Sequence, residues 1–270
     1  MSIGDCPKNE DGRRELSLKY KIMIENKICF VSDANQENYV KQFNNKIENL
    51  PKDFDFTYYV CTNLPDMVTK KYPKLKVFDL NELQSRTKET LKYEKLKDGV
   101  KLSHYPANIR RHIINKAFED GFDYVVWNDC DVKFSNTVDA FIQELKNFKI
   151  NTIYTQNVIY RYGNRGNQGP FTGCDQVLEY FNYKDKKEKL KIHDGPTAIY
   201  FFDEDTKKKY IKVWDDITLY GYEKPYTYKK GGSRPMTEVY TITFNEIDIK
   251  PIGPRNKVMF KIKHEHNIKY

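Results

Sequence analysis

The pattern of apolar and polar positions along the chain predicts short strands that alternate with helices. Apolar runs at residues 28–32, 56–62 and 76–80 have the length and composition of buried strands, and helical spacing of apolar residues follows the first run over 36–48. Strands that alternate with helices are typical of a parallel α/β sheet. We therefore predict an α/β fold in which helices flank a mostly parallel sheet.

A well-marked helix is predicted between Pro106 and Gly121, and it leads directly into an apolar strand at 123–128. Further helices are predicted at 138–148 and 205–220, and further strands at 152–158 and 197–202. No internal repeat and no Pro/Ser-rich linker interrupts this order. We therefore predict one domain over residues 1–270, with a ligand-binding half at 27–135 and a decorated half at 136–270.

Two acids, Asp129 and Asp131, stand one residue apart where the strand at 123–128 ends. In an extended chain, residues i and i+2 point to the same side, so both carboxylates are expected to reach one point beyond the strand. Ligands of open α/β sheets bind at this carboxyl edge. Converging carboxylates repel unless a cation lies between them, and Mg²⁺ in such a place commonly also holds phosphate oxygens. The pair predicts a metal-dependent enzyme with a phosphorylated substrate.

Composition adds limits to this picture. Hydrophobic residues make up 39 % of the 270 residues, which is enough for a core, and no apolar run approaches the roughly 18–20 residues that span a bilayer. The polar first 26 residues lack an apolar signal-peptide core, so a cytoplasmic location is expected. Five widely spaced cysteines argue against a structural zinc cluster. The net charge of +8 is compatible with anionic ligands, although lysine-coated solvated faces explain it as well.

The helix, the apolar strand and the sequence Asp129-Cys130-Asp131 together resemble the DxD motif of GT-A-fold glycosyltransferases. Later residues follow the order of that superfamily: a glycine turn at Gly195, an acid at Glu238 and a late histidine at His264 or His266. Two adjacent acids are more usual at the position of Glu238. The resemblance implies a GT-A-like, Rossmann-type fold and a hexosyl- or pentosyltransferase. It implies a nucleoside diphosphate sugar, with UDP expected, as the donor, and does not identify the acceptor, which can be a glycan, protein, lipid or nucleic acid.

The resemblance also implies roles for the metal-binding residues. Mn²⁺ or Mg²⁺ bridging the diphosphate would act as a Lewis acid while the sugar departs. Asp131 is the expected direct ligand, Asp129 would bind the metal or the ribose and sugar hydroxyls, and His264 is preferred over His266 to complete the metal shell as a neutral imidazole. The alternative is that the two acids have no binding role and lie on a solvated turn at the strand end.

Other residues are candidates for the donor and acceptor sides. Ser32 and Asp33 end the first strand, where the base or ribose would lie; capping of the next helix is the alternative. Arg110 is expected to face the diphosphate, with its neighbour Arg111 as the alternative. Glu238 is the candidate general base of an inverting transfer, and Asp194 is either an alternative base or a ligand of hydroxyl groups.

Two other classes of protein remain open at this point. A haloacid-dehalogenase-like Mg²⁺ phosphatase also uses an apolar strand followed by Asp-x-Asp, but its motif opens the domain and has Thr or Val where this chain has Lys133. A non-enzymatic protein that binds nucleic acid would use the basic surface, although no known DNA- or RNA-reading motif is present.

Overall fold

The computed structural model describes residues 27–83, 106–132, 134, 137–155, 160–161, 179, 181–183, 185, 191–192, 197–223, 243 and 245–249. The strands are, in chain order, β1 (Ile28–Asp33), β2 (Thr57–Thr62), β3 (Leu75–Asp79), β4 (Tyr124–Asn128), β5 (Thr152–Thr155), β6 (Tyr160–Arg161), β7 (Lys191–Ile192) and β8 (Thr197–Phe201). Six of them form one sheet, and the two-residue strands β6 and β7 pair with each other.

The large sheet has the strand order β3-β2-β1-β4-β8-β5. The pairs β3–β2, β2–β1 and β1–β4 are parallel, whereas β8 is antiparallel to both β4 and β5. Five strands therefore run in one direction and β8 runs against them. The predicted α/β class with a mostly parallel sheet is confirmed. Because β1 and β4 are parallel neighbours, their carboxyl ends lie side by side at one edge.

Among the described residues, helices on the two faces of this sheet are α1 (Glu37–Glu48), α2 (Pro106–Glu119), α3 (Val138–Leu145) and α4 (Glu204–Glu223). The buried side chains of α1 and α3, such as Phe43 and Phe141, join one core cluster. Those of α2 and α4, such as Ile113 and Trp214, join another cluster on the opposite face. Between β2 and β3 the chain forms a single 3₁₀ turn over Pro65–Met67.

The alternation of side chains along β1 and β4 assigns their residues to the two faces. Phe30 of β1 and Val126 of β4 belong to the cluster on the α1 face, whereas Val31 and Trp127 belong to the cluster on the α2 face. Both faces are apolar, which explains the continuous apolar runs in the sequence. The same alternation continues into the polar residues at the strand ends.

Helix α2 ends as its sequence predicts. Gly121 has a positive φ of 86°, a conformation that glycine adopts without steric cost. Its N–H donates to the carbonyl of Phe118 at 3.0 Å, and the N–H of Phe122 donates to the carbonyl of Ala117 at 3.2 Å. The chain then enters β4, which brings α2 against the strand that precedes the two acids. Among the described residues, no helix is both long and apolar enough to cross a membrane.

Candidate functional site

Asp129 and Asp131 lie on a tight turn beyond β4. The strand ends at Asn128, and the N–H of Val132 donates to the carbonyl of Asp129 at 3.0 Å, which closes a four-residue turn. The expectation that the two acids follow one another in extended backbone is therefore wrong, because the chain reverses there. The charge of Asp131 nevertheless raises the pKa of Asp129, so the two carboxylates do lie near each other.

One oxygen of Asp129 is held from the α2 face. Its Oδ1 accepts a hydrogen bond from Nη2 of Arg110 at 2.8 Å and another from Nε1 of Trp127 at 3.0 Å. Among the described residues, no donor binds Oδ2. This arrangement fixes the orientation of the carboxylate.

Arg110 is itself held in place by Trp127. Its guanidinium carbon lies 4.4 Å from the centre of the indole ring, a cation–π arrangement, and its side chain is 15 % exposed. The neighbouring Arg111 points elsewhere, since it is buried and forms an ion pair with Asp215 of α4. Of the two arginines considered from the sequence, the structure thus brings Arg110 to the acids.

Asp33 ends β1 on the same face of the sheet. Burial raises the pKa of its carboxyl to about 6; the charge of Arg110 opposes this rise and the charge of Asp129 adds to it. Burial likewise raises the pKa of Asp129, and Arg110 again opposes the rise. Asp33 and Asp129 therefore share the charge of one guanidinium at the sheet edge, and Asp131 follows on the same turn as Asp129.

The two acids of the turn offer the ligand chemistry of a hard divalent cation. Mg²⁺ binds oxygen ligands and is commonly held by one or two carboxylates together with substrate phosphates and water. Among the described residues, no group of three or more His, Cys, Asp or Glu side chains is arranged to hold a metal. The donor set of Asp129 and Asp131 therefore fits a cation that shares its shell with a diphosphate.

On the opposite face, a buried polar network lies beneath the same turn. The ammonium of Lys46 from α1 lies 3.3 Å from Oγ of Ser32, 3.1 Å from the hydroxyl of Tyr58, and 3.1 Å from Oδ1 of Asn128. It also donates to the carbonyl oxygen of Asp129 at 2.7 Å. These four hydrogen bonds join α1 to β1, to β2, and to the end of β4 with the turn that follows it.

Ser32, which the sequence places in the donor site, belongs to this network. It is fully buried, and its Oγ lies 2.6 Å from the carbonyl oxygen of Asn128 and 2.9 Å from the hydroxyl of Tyr58. Strand alternation explains the difference from Asp33, because neighbouring residues face opposite sides of the sheet. The structure thus separates the two: Asp33 lies with Arg110, and Ser32 lies with Lys46.

Cys130 lies between the two acids but points into the core. It is 8 % exposed and packs in the cluster on the α1 face. Burial raises the pKa of its thiol to about 12, although the charge of Lys46 opposes the rise. The thiol is therefore protonated at neutral pH, which does not suit a nucleophile.

Five sequence candidates lie outside the described residues: Asp194, Gly195, Glu238, His264 and His266. Their roles stay predictions. The structure instead adds residues that the sequence analysis did not single out, namely Lys46, Tyr58, Trp127 and Asn128. One signal could have revealed Lys46: it falls three residues after Phe43 and next to Ile47, on the apolar face of its helix.

Comparisons with known proteins give structural likenesses at low identity. No protein-family model and no curated protein matches the sequence. Mouse xyloside xylosyltransferase 1 in its apo form gives a TM-score of 0.47 at 8 % identity, covering 83 % of this chain and 84 % of that one. The galactosyltransferase LgtC with donor and acceptor sugar analogues gives 0.43 at 11 % identity, covering 83 % and 72 %.

A third likeness is the apo structure of the bifunctional glycosyltransferase WbbM, with a TM-score of 0.43 at 11 % identity, covering 84 % of this chain and 38 % of that one. All three proteins are glycosyltransferases by description, the class whose motif the sequence resembles. Because each TM-score is below 0.5, these likenesses carry no argument about the site. The case for its chemistry comes from the acids, the arginine and their place at the sheet edge.

Proposed function

We propose that this protein is a metal-dependent glycosyltransferase that moves a hexose or pentose from a nucleoside diphosphate, with UDP as the expected nucleotide, to an acceptor. The observation that supports it most is the turn after β4, which carries Asp129 and Asp131 at the carboxyl edge of the sheet and on which Arg110 binds Asp129. A parallel sheet binds nucleotides at this edge. Paired carboxylates there suit a cation that also holds a diphosphate.

In this proposal Asp131 and Oδ2 of Asp129 hold Mn²⁺ or Mg²⁺. Arg110 and Trp127 bind the other oxygen of Asp129, Oδ1. The bound cation would supply positive charge for the diphosphate that departs from the sugar. Pre-placed charge of this kind is worth several kcal/mol to a transition state, because it needs no reorganisation. The alternative role of Asp129, binding ribose or sugar hydroxyls, uses the same oxygen.

Arg110 has two parts in this proposal. In the structure its guanidinium binds Asp129, so it orients the carboxylate and favours its ionised form. We propose that it also binds the diphosphate, since the planar fork of N–H donors on a guanidinium suits phosphate oxygens. Asp33, at the end of the neighbouring strand β1, is proposed to accept a hydrogen bond from a ribose hydroxyl or from the N–H of uracil.

The acceptor side of the proposal rests on the sequence. Glu238, or Asp194, would take the proton of the acceptor hydroxyl, Gly195 would lie in the loop beside the donor, and His264 would complete the metal shell. We further propose a single catalytic domain in which residues 27–135 bind the donor and residues 136–270 bind the acceptor.

The observed site disfavours a phosphatase of the haloacid dehalogenase type. Such an enzyme would use Asp129 as its nucleophile, in a motif that normally opens the domain. Here the motif follows the fourth of the described strands. A purely basic nucleic-acid-binding surface would not require carboxylates gathered at the sheet edge, since phosphate backbones are bound by cations.

A thermal-shift experiment tests the proposal. UDP should raise the melting temperature only when Mn²⁺ or Mg²⁺ is present, and a concentration of 100 times the dissociation constant should stabilise the protein by about 2.7 kcal/mol. Asp131→Ala should abolish this shift. Asp55→Ala is the matched control, because Asp55 is exposed, pairs with Lys74 and precedes β2 at the opposite edge of the sheet.

If no nucleoside diphosphate stabilises the wild-type protein with any divalent cation, the transferase proposal is wrong. A positive result leads to donor screening, in which release of free nucleoside diphosphate from a set of nucleotide sugars identifies the sugar. Acid phosphatase activity on a general phosphomonoester, lost in Asp129→Asn, would instead support the phosphatase.

A further inference from the structure

Lys46 is a buried cation at a helix position where an apolar residue would be expected. Val40, Phe43 and Ile47 of α1 are buried on the same side of the helix, and the Lys46 side chain is buried with them at 4 % exposure. Burial lowers the pKa of its ammonium to about 8, and the nearby charges of Asp129 and Asp131 oppose the decrease. A buried charge costs free energy unless it is well bonded, so its surroundings should explain it.

The ammonium of Lys46 uses all of its hydrogen-bonding capacity. It carries three hydrogens, and four oxygen atoms lie between 2.7 and 3.3 Å from it. The shortest of these contacts, at 2.7 Å, is the bond to the backbone carbonyl of Asp129. The other three acceptors, on Ser32, Tyr58 and Asn128, are themselves connected by hydrogen bonds. The network thus fixes the nitrogen beneath the turn.

Asp129 is consequently held from both faces of the sheet. From the α2 face, Arg110 and Trp127 bind its side-chain oxygen Oδ1. From the α1 face, Lys46 binds its main-chain oxygen. The same carbonyl oxygen accepts the hydrogen bond from Val132 that closes the turn carrying Asp131. A single carbonyl therefore links Lys46 to the geometry of both acids.

We propose that Lys46 is a positioning residue that holds the turn Asp129–Val132 in the conformation that binds the metal and the nucleoside diphosphate. This inference deepens the proposed function and rests on it. Lys46 touches neither reacting atom; it acts through the carbonyl oxygen of Asp129. Positioning of this kind matters because catalytic groups displaced by about 1 Å can lose about a hundredfold in rate.

Two effects of Lys46 on metal binding have opposite signs, which makes the proposal testable. A buried positive charge near a cation site repels the cation, so removing the charge alone would strengthen metal-dependent binding. Loss of positioning would weaken it, because the ligand must then order the turn. A role confined to stability would lower the melting temperature and leave the affinity of the native state unchanged.

The variants Lys46→Met and Lys46→Gln separate these outcomes. Met fills similar space but has no hydrogen-bond donor. Gln keeps a polar end but is one bond shorter than Lys, and it replaces the Met variant if that variant does not fold.

Lys207→Met is the matched control, since Lys207 of α4 is 5 % exposed and donates to Glu204 at 2.7 Å, away from the site. We expect the affinity for UDP in Mn²⁺, measured by calorimetry, to fall at least about fivefold in both Lys46 variants, a loss of about 1 kcal/mol. The control should bind like the wild type.

Hydrogen–deuterium exchange of the metal-free protein gives a readout that needs no nucleotide. In the Lys46 variants the peptide covering 129–132 should exchange faster, while β1 and β2 keep their protection, because local opening is separable from global unfolding. Unchanged or tighter UDP binding, or a uniform increase of exchange throughout the chain, would overturn the proposal. If the wild type binds no nucleoside diphosphate, the proposed function fails, and the exchange at 129–132 still decides whether Lys46 holds the turn.

Discussion

Arg110 and Asp129 form an ion pair of 2.8 Å that ties helix α2 to the turn after β4. The arginine is 15 % exposed and the aspartate 30 % exposed, so the pair is partly screened by solvent. Its importance lies in orientation and in charge: it holds one oxygen of the aspartate in place, and it opposes the rise in the pKa of Asp129 that burial causes.

Removing Arg110 should move metal-dependent binding to higher pH. The guanidinium lowers the pKa of Asp129, so Arg110→Met should raise that pKa, and the carboxylate that binds the metal then forms at higher pH. UDP affinity in Mn²⁺, measured between pH 5.5 and 8, should show a midpoint displaced upward relative to the wild type. Lys116→Met, on the same helix but paired with Asp120, should leave the midpoint in place. An unchanged midpoint in Arg110→Met would show that the pair does not control Asp129.

The indole N–H of Trp127 should matter for binding beyond its contribution to the core. Trp127→Phe keeps an aromatic ring but removes the donor to Asp129, so UDP affinity in Mn²⁺ is expected to fall about threefold to tenfold, the effect of losing one hydrogen bond with a net contribution of about 1 kcal/mol. The chain offers a matched control in Trp214, its only other tryptophan, which is equally buried. Trp214→Phe should lower the melting temperature comparably without changing affinity. Equal affinities in the two variants would contradict the assigned role of the N–H.

Cys130 should be dispensable for chemistry despite standing between the two acids. Burial keeps its thiol protonated at neutral pH, so Cys130→Ala should lower stability by about 1 kcal/mol and change donor turnover less than about threefold. Release of UDP from the donor measures turnover, and Cys29→Ala, another buried cysteine, is the control. A loss of activity above a hundredfold in Cys130→Ala alone would point to a covalent mechanism instead.

Much of the sheet could be predicted from the sequence, because its signals are local. The apolar runs of β1 and β4 and the helix between Pro106 and Gly121 have strong patterns, and the structure has them with ends shifted by one or two residues. The strand β8 was predicted at 197–202, but its reversed direction was not. Strand direction depends on pairing between distant segments, and an apolar strand such as Thr197–Phe201 carries no signal for it.

The site was predictable in position but not in internal geometry. The acids follow a strand in the sequence, so their place at the sheet edge follows from topology. The turn that carries them depends on the carbonyl oxygen of Asp129, which accepts hydrogen bonds from both Lys46 and Val132. Lys46 is 83 residues away in sequence from that carbonyl, and nothing local to either segment reveals their contact. The position of Lys46 on an apolar helix face was the one sequence feature that could have indicated its burial.

Asp33 gives a prediction in which stability and binding change in opposite directions. Burial raises the pKa of its carboxyl from 3.8 to about 6 in the folded protein, so the folded state binds more protons than the unfolded state between these values. The metal-free wild type should therefore lose stability as the pH rises from about 4 to 6, because the buried carboxylate must ionise.

The variant Asp33→Asn removes the free-energy cost of ionising this buried carboxyl group. It should raise the melting temperature at pH 7.5 by about 2–4 °C, as about 1 kcal/mol does in a chain of this size, and have little effect at pH 4. In the presence of UDP and Mn²⁺ the variant should gain less stabilisation than the wild type, since the amide accepts a ribose hydroxyl less strongly than a carboxylate does. Thermal melts over this pH range, with and without UDP, measure both effects, and a variant that is less stable than the wild type at pH 7.5 without ligand would contradict the assigned pKa.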